Sequence, residues 1–475
     1  MTASDMTAPG MTAPDMPVPG LTGADVVAQL VAELGDLVDV SDAGRESVRA
    51  DKSGHAASGS ALAVVHARST ADVQATMRIA SATGTPVVPR GAGTGLAGGA
   101  NTGAGEIGLS LRSMDRILEI HPDDLIAVVE PGILNAELNA ALAEHGLWWA
   151  PDPASRDIST VGGNIATGAG GLLCAKYGVV RDAVLGVDLV LADGTFMRLG
   201  HRTVKGVTGL DLTSLVIGSE GILGVVVAAT LKLRRLVPGH ARTMAATFHD
   251  VRSAAVAASG VTAAGIQPAI MELMDATSLA AAHRLLGLPA PTPGASQLTV
   301  QTDGPAATAE AEAIAAVLAA AGGTVRLAAD DAEAQQLWTV RRSMHPAMET
   351  LGTALIEDVS VPRSALPAMF DEIARIEARF GLTIPTVCHA GDGNLHPNFI
   401  FEGTEVPGVI WEAAEDLFQS ALRLGGTLTG EHGVGILKRR WLADELGDDQ
   451  WELQRRIARA FDPTGILNPG KVFAP

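Results

Sequence analysis

The residues best suited to chemistry are His389, His396 and Glu431, with His432 directly after the glutamate. His389 and His396 flank Ala390-Gly391-Asp392-Gly393-Asn394-Leu395, and Glu431-His432-Gly433-Val434-Gly435 follows further along the chain. Two neutral imidazoles and one carboxylate make a suitable set of ligands for a divalent metal with an open position. The adjacent His432 would then be free to move a proton. Spacing alone leaves a second reading open, in which two histidines cap a hairpin and Glu431 is merely solvated. No zinc-finger or H-E-x-x-H pattern is present.

The elements around these residues favour the hairpin geometry. Thr383 to His389 and Leu395 to Phe401 read as strands joined by a turn rich in Gly, Asp and Asn. That pairing puts both histidines at one end of a sheet. A helix expected over Asp331 to Leu351 sets Trp338, Arg341 and His345 on one face. Beside an aromatic, a guanidinium fork suits a carboxylate, although the spacing by itself favours an ordinary surface arginine.

Upstream, a strand ending at Pro86-Val87-Val88-Pro89 runs into Arg90-Gly91-Ala92-Gly93-Thr94-Gly95-Leu96-Ala97-Gly98-Gly99. Such glycine density lets backbone N–H groups close around an anion, and a pyrophosphate is the obvious guest. Gly93 to Gly98 satisfies G-x-G-x-x-G formally. A short strand over Ile107 to Leu111 follows, where a dinucleotide-binding Rossmann unit would open a helix. A second glycine-rich stretch, Pro151 to Gly171, reads as a long irregular loop forming the other wall of the same site. Gly218-Ser219-Glu220-Gly221-Ile222 leads into a further strand, and Phe461 to Lys471, with two Pro and two Gly, reads as an ordered turn.

Composition bounds the function. The chain has 475 residues and a formal net charge of −19, which disfavours a nucleic-acid partner. Cys174 and Cys388, the two cysteines, are too few for an iron–sulfur cluster. Cys174 is read as packing. No stretch has the hydropathy of a membrane span. Met1 to Gly20 is an imperfect five-residue repeat, expected to be disordered. The pattern beyond it suggests an α+β domain over 21–235, then a second over 236–455 with an antiparallel sheet covered by helices, and a terminal segment over 456–475. The helix after the tail is expected to bury Val26, Val27, Leu30, Val31 and Leu34, and a later helix to be capped by Thr70.

Taken together, Pro89 to Gly99, Pro151 to Gly178, Gly218 to Gly224, His389 to Asn398, Glu431 to Gly435 and Asn468 to Lys471 resemble the FAD-linked oxidases of the vanillyl-alcohol oxidase fold family. Within it the chain is similar to D-2-hydroxyacid dehydrogenases: D-lactate dehydrogenase, the glycolate oxidase flavin subunit and D-2-hydroxyglutarate dehydrogenase. The resemblance implies an FAD-binding domain, a substrate cap domain and a C-terminal segment returning to the flavin. The glycine-rich loop has no His or Cys for a covalent link, so FAD is expected to be non-covalent. The implied cofactor contacts are Pro89, Arg90, Gly91, Ala92, Gly93, Thr94, Gly95, Pro151, Ser155, Thr160, Gly162, Gly163, Asn164, Thr167, Gly168, Glu220, Gly221, Ile222 and Asn468. The resemblance also implies a metal on His389, His396 and Glu431, zinc first, with manganese or iron as alternatives. His432 is implied as the base, and Arg341, His345, Asn398 and His432 as substrate contacts. Where relatives specialised for 2-hydroxyglutarate hold a distal carboxylate, this chain has His345 and Ile356, with Glu357 and Asp358 expected to repel an anion unless turned away. D-lactate or glycolate is therefore favoured over D-2-hydroxyglutarate. Electrons would leave through an electron-transfer protein, a quinone, a cytochrome or oxygen. A subunit of a multi-subunit glycolate oxidase, a non-catalytic flavin scaffold and a nicotinamide enzyme are the alternatives. The expected setting is cytoplasmic. Peripheral membrane association and a homodimer are left open.

Overall fold

The computed structural model describes residues 22–474 except Pro238 and His240; the tail expected over 1–20 lies outside these. The chain enters through helix Gly23–Leu34, where the Thr22 hydroxyl and the Asp25 carboxylate cap each other's backbone. Val26, Leu30 and Leu34 face inward, whereas Val31 is 44% exposed, so the buried stripe is narrower than expected. The next helix, Thr70–Thr83, is capped by Ser69 rather than Thr70, because the Ser69 hydroxyl accepts from the Asp72 amide. It buries Val73, Met77 and Ala80 completely.

These helices cover a four-stranded sheet in the order Val38–Asp39, Ala63–His66, Ile107–Ser110, Val87–Arg90. The last three strands are parallel. Val87–Arg90 therefore delivers its glycine-rich continuation at a C-terminal strand end, where open parallel sheets bind ligands. A five-stranded antiparallel sheet follows, in the order Ile117–His121, Ile126–Val129, Val225–Lys232, Val184–Val190, Phe196–Gly200. The C-terminal segment does return to this half. Leu467 bridges Val87, and Ile466 and Leu467 are buried in its core.

The second half holds an eight-stranded sheet. Its central strands are Arg242–Phe248, Ser296–Thr302, Ile270–Met274, Thr386–His389 and Asn394–Phe401, side by side and antiparallel. Helices Val251–Ala263, Leu366–Phe380 and Gly408–Arg423 close one face over Phe370, Phe399 and Phe418. The hairpin forms as expected, with His389 paired to Asn394 and Val387 to His396. The helix expected over Asp331 to Leu351 is broken. It stops at Arg342, and a separate helix runs Met344–Glu349. Pro346 lies in that second helix and cannot donate to the Arg342 carbonyl, which breaks the hydrogen-bond ladder there. No helix among the described residues is long and apolar enough to cross a membrane.

Phe399 lies on the strand that carries His396 and is fully buried. Phe399→Ala is expected to destabilise the protein by about 3–5 kcal/mol, read from the urea unfolding midpoint. A loss below about 1 kcal/mol would contradict this packing.

Candidate active site

Three imidazoles converge on one oxygen. Glu431 Oε1 lies 3.1 Å from His396 Nε2, 3.5 Å from His389 Nε2 and 3.8 Å from His432 Nε2. Ligands about 2.1 Å from a common metal stand roughly 3.0–3.4 Å apart at octahedral to tetrahedral angles. The two shorter separations match that spacing. The His389 and His396 rings are nearly perpendicular, at 81°, while His396 and His432 are stacked, with centroids 5.0 Å apart. His389, His396 and Glu431 therefore fit a divalent cation on donor type and spacing.

The electrostatics point the same way. Burial works against charge on His389, but Glu272, accepting at 2.7 Å on Nδ1, more than offsets it, and the His389 pKa lies well above its usual value. Burial likewise opposes the Glu431 charge, yet His389 and His396 hold its pKa well below the usual carboxylate range. The point of convergence favours positive charge. Burial pushes His432 the other way, down to about 4, so this imidazole is neutral near pH 7 and can accept a proton.

The sequence reading missed the groups that hold this cluster. Glu272 is fully buried on the neighbouring strand, directly paired with His389. One of its oxygens takes the His389 ring and the other takes Arg341, at 2.9 Å from Nε and 2.7 Å from Nη2. That fixes the ring orientation, as partners behind metal-binding histidines do. Arg341 keeps Nη1 uncommitted among the described residues. The second missed group is Asp358. It accepts from the amides of Gly430, Glu431 and His432 at 2.9–3.0 Å and from the Thr429 hydroxyl at 2.6 Å. Lys438 is the nearby cation, 3.6 Å from Glu357 and 3.8 Å from Asp358. Both acids are buried, with Asp358 spent on these donors and Glu357 facing Lys438.

Glu431 and His432 form one end of a cleft whose other walls are the glycine-rich segments. The free space along it, counting the part open to solvent, is about 1110 Å³. Pro89, Gly91, Ala92, Gly93, Thr94 and Gly95 line it from the first loop; Ser155, Thr160, Gly163, Asn164 and Thr167 line it from the second, and Glu220 and Gly221 from the third. None of the amides from Gly91 to Leu96 donates to an acceptor among the described residues, as an anion cradle requires. The buried Asn164 amide nitrogen and one Asp51 oxygen also have no partner. This cradle fits a pyrophosphate-bearing cofactor, and the unpartnered groups fit its hydrogen-bonding portions.

Several expected contacts sit elsewhere. The Arg90 guanidinium is spent on the Ala50 and Ala100 carbonyls, at 2.8 and 2.9 Å, and staples the loop from behind. Gly162 packs on Pro131, where a Cβ would collide. Gly168 caps a helix in the left-handed conformation. The Pro151 carbonyl binds Asn135, and Ile222 is not part of the lining. Asn468 reaches the Gly99 and Glu220 carbonyls at 2.8 and 2.7 Å, bracing the cleft. The second glycine-rich stretch is not an irregular loop throughout, because Val161–Thr167 forms a helix capped by Thr160. His345 does not join the cluster; it is 68% exposed and lines a neighbouring cleft with Ile356. Asn398 is buried and spends its amide on the Pro385 and His396 carbonyls, at 3.1 and 2.8 Å.

With this geometry in view, the chain's relationships can be read. Residues 61–200 match the FAD binding domain family, and residues 237–472 match the C-terminal domain of FAD linked oxidases. The chain belongs to the FAD-linked oxidases and is an FAD-dependent oxidoreductase. It is 39% identical over 418 residues to glycolate oxidase subunit GlcD of Bacillus subtilis, covering 87% of this chain and 89% of that protein. It is 34% identical to the probable mitochondrial D-lactate dehydrogenase of Danio rerio, covering 94% and 91%. Among solved structures, p-cresol methylhydroxylase shares the fold with a TM-score of 0.75 at 17% identity, covering 96% of this chain and 99% of that one. The fold is thus that of the vanillyl-alcohol oxidase type.

Glu272→Gln removes the charge behind both His389 and Arg341. The Zn²⁺ dissociation constant of the FAD-loaded protein should rise by about 10–100-fold, measured by titration with a competing chelator. An unchanged constant would contradict the support role of Glu272.

Proposed function

We propose that this protein oxidises a D-2-hydroxyacid to the 2-oxoacid, using non-covalent FAD and a divalent metal. The convergence of three imidazole Nε2 atoms on Glu431, at the end of a cofactor-sized glycine cradle, carries the reading. Sequence kinship with a glycolate oxidase subunit and with D-lactate dehydrogenases supports the substrate class.

FAD, when bound, supplies the hydride acceptor, and a divalent metal, zinc first, supplies a Lewis acid for the substrate hydroxyl. The protein's share is placement and proton transfer. Arg341 offers Nη1 to the substrate carboxylate while Glu272 holds the rest of its fork. That fixes which face of C2 meets the flavin. His432, neutral and buried beside Glu431, takes the hydroxyl proton at Nε2. Ile356 offers no charge to a second carboxylate, which favours D-lactate or glycolate over D-2-hydroxyglutarate. Electrons then pass to an external acceptor of the classes named above. A second reading, a flavin subunit working inside a glycolate oxidase complex, is favoured by the kinship with GlcD.

Anaerobic mixing with D- and L-2-hydroxyacids tests the proposal through the flavin absorbance. D-lactate or glycolate should bleach it fast and D-2-hydroxyglutarate slowly; the reverse order would overturn the substrate choice. His432→Ala should retain FAD and metal but slow bleaching by about 10²–10⁴-fold. Normal bleaching would remove His432 from the role of base.

A further inference from the structure

The segment from Thr429 to Leu437 is held by two different halves of the molecule. Its first part is bound within the cap domain. The amides of Gly430, Glu431 and His432 all donate to Asp358, and that of Gly433 to the Thr429 hydroxyl at 3.1 Å. Its second part is bound to the FAD-binding half. Val434 and Gly435 donate to the Glu220 carboxylate at 2.7 and 2.9 Å, and Ile436 and Leu437 to the Ala97 carbonyl at 2.8 and 3.3 Å. Ligand and base thus lie just before the point where the anchoring passes from one half to the other.

Glu220 is built for that junction. It is a non-glycine residue at φ 53, a conformation held only when its surroundings over-determine it. Those surroundings are its own amide on the Ala166 carbonyl at 2.8 Å and its carbonyl on Asn468 at 2.7 Å. Its carboxylate lies against Gly433 and Gly99, so that a Cβ on either would crowd it at 3.0 or 2.9 Å. Glu220, Ala97 and Ala166 also line the cleft shared with His432. A cofactor filling that cleft would touch the wall that anchors the distal half of the loop.

We infer that Glu220 is a positioning residue that couples occupancy of the glycine cradle to the metal site, so that FAD and metal bind with positive cooperativity through the Glu220 contacts to Val434 and Gly435. The inference rests on the metal-site reading under Proposed function. Coupling of this kind is reciprocal, so either ligand reports it, with factors of about 5–150 where measured elsewhere.

The test uses the FAD-loaded protein. Its FAD dissociation equilibrium is read from the fluorescence of released flavin on dilution, once with saturating Zn²⁺ and once with chelator, with bound zinc measured in parallel. Wild type should hold FAD about tenfold tighter with zinc. Glu220→Gln keeps the shape but turns one acceptor oxygen into a donor, and the ratio should fall toward one. A merely structural role would weaken FAD equally with and without zinc and leave the ratio unchanged, which overturns the inference. A wild-type ratio of one with zinc bound also overturns it. No bound zinc at all removes the metal site, and the coupling with it. Should the variant fail to fold, hydrogen exchange in the wild type reads the same contact. Zinc should slow exchange of the peptide around Ser219 to Gly221, and unchanged exchange there overturns the coupling.

Discussion

The site depends on a run of backbone amides. From Gly430 to Gly435 every amide ends on one of three side chains: Asp358, Thr429 or Glu220. A partly buried segment without secondary structure must satisfy its N–H groups some other way, and one left bare out of reach of water costs about 1–3 kcal/mol. Two buried carboxylates do that here, and they fix the backbone that presents Glu431 and His432. Burial opposes the charge on Asp358, yet its pKa lies well below the usual carboxylate value, held there by the Lys438 ammonium and the Thr429 hydroxyl. Glu220 is less favoured as an anion; burial pushes it up to about 7 against the pull of its two amide donors.

The glycines of this loop follow from the same constraint. Gly433 and Gly435 sit at φ 83 and 51, where side chains are strained. A Cβ on Gly435 would also run into the Ala97 carbonyl. The loop can reach the cradle only as bare backbone. Behind it, Glu272 ties His389 and Arg341 to one strand, so the proposed metal ligand and the proposed carboxylate clamp share a single rigid support.

The hairpin and its two histidines were legible in the sequence because strand alternation and turn residues are local signals. The glycine cradle was legible because its density has few other uses. Glu272 was not, since a lone acid in an apolar strand carries no local mark of its partner across the sheet, and neither was Asp358, whose donors lie some seventy residues further along the chain. Arg90 misled for a related reason: an arginine beside a phosphate loop reads as a ligand contact until its donors are found on Ala50 and Ala100. His345 leaves the face of Trp338 and Arg341 because the helix ends at Arg342 and a new one carrying Pro346 begins at Met344. The Ser69 cap displaced Thr70 because both residue types cap and only geometry separates them.

One measurement bears most directly on a shared metal and flavin site. FAD-loaded protein, stripped of metal by chelation, is mixed anaerobically with D-lactate, and bleaching of the flavin is timed before and after adding Zn²⁺ or Mn²⁺. Slow bleaching that either ion restores is the predicted result. Fast bleaching by the metal-free protein, unchanged on adding either ion, would contradict it.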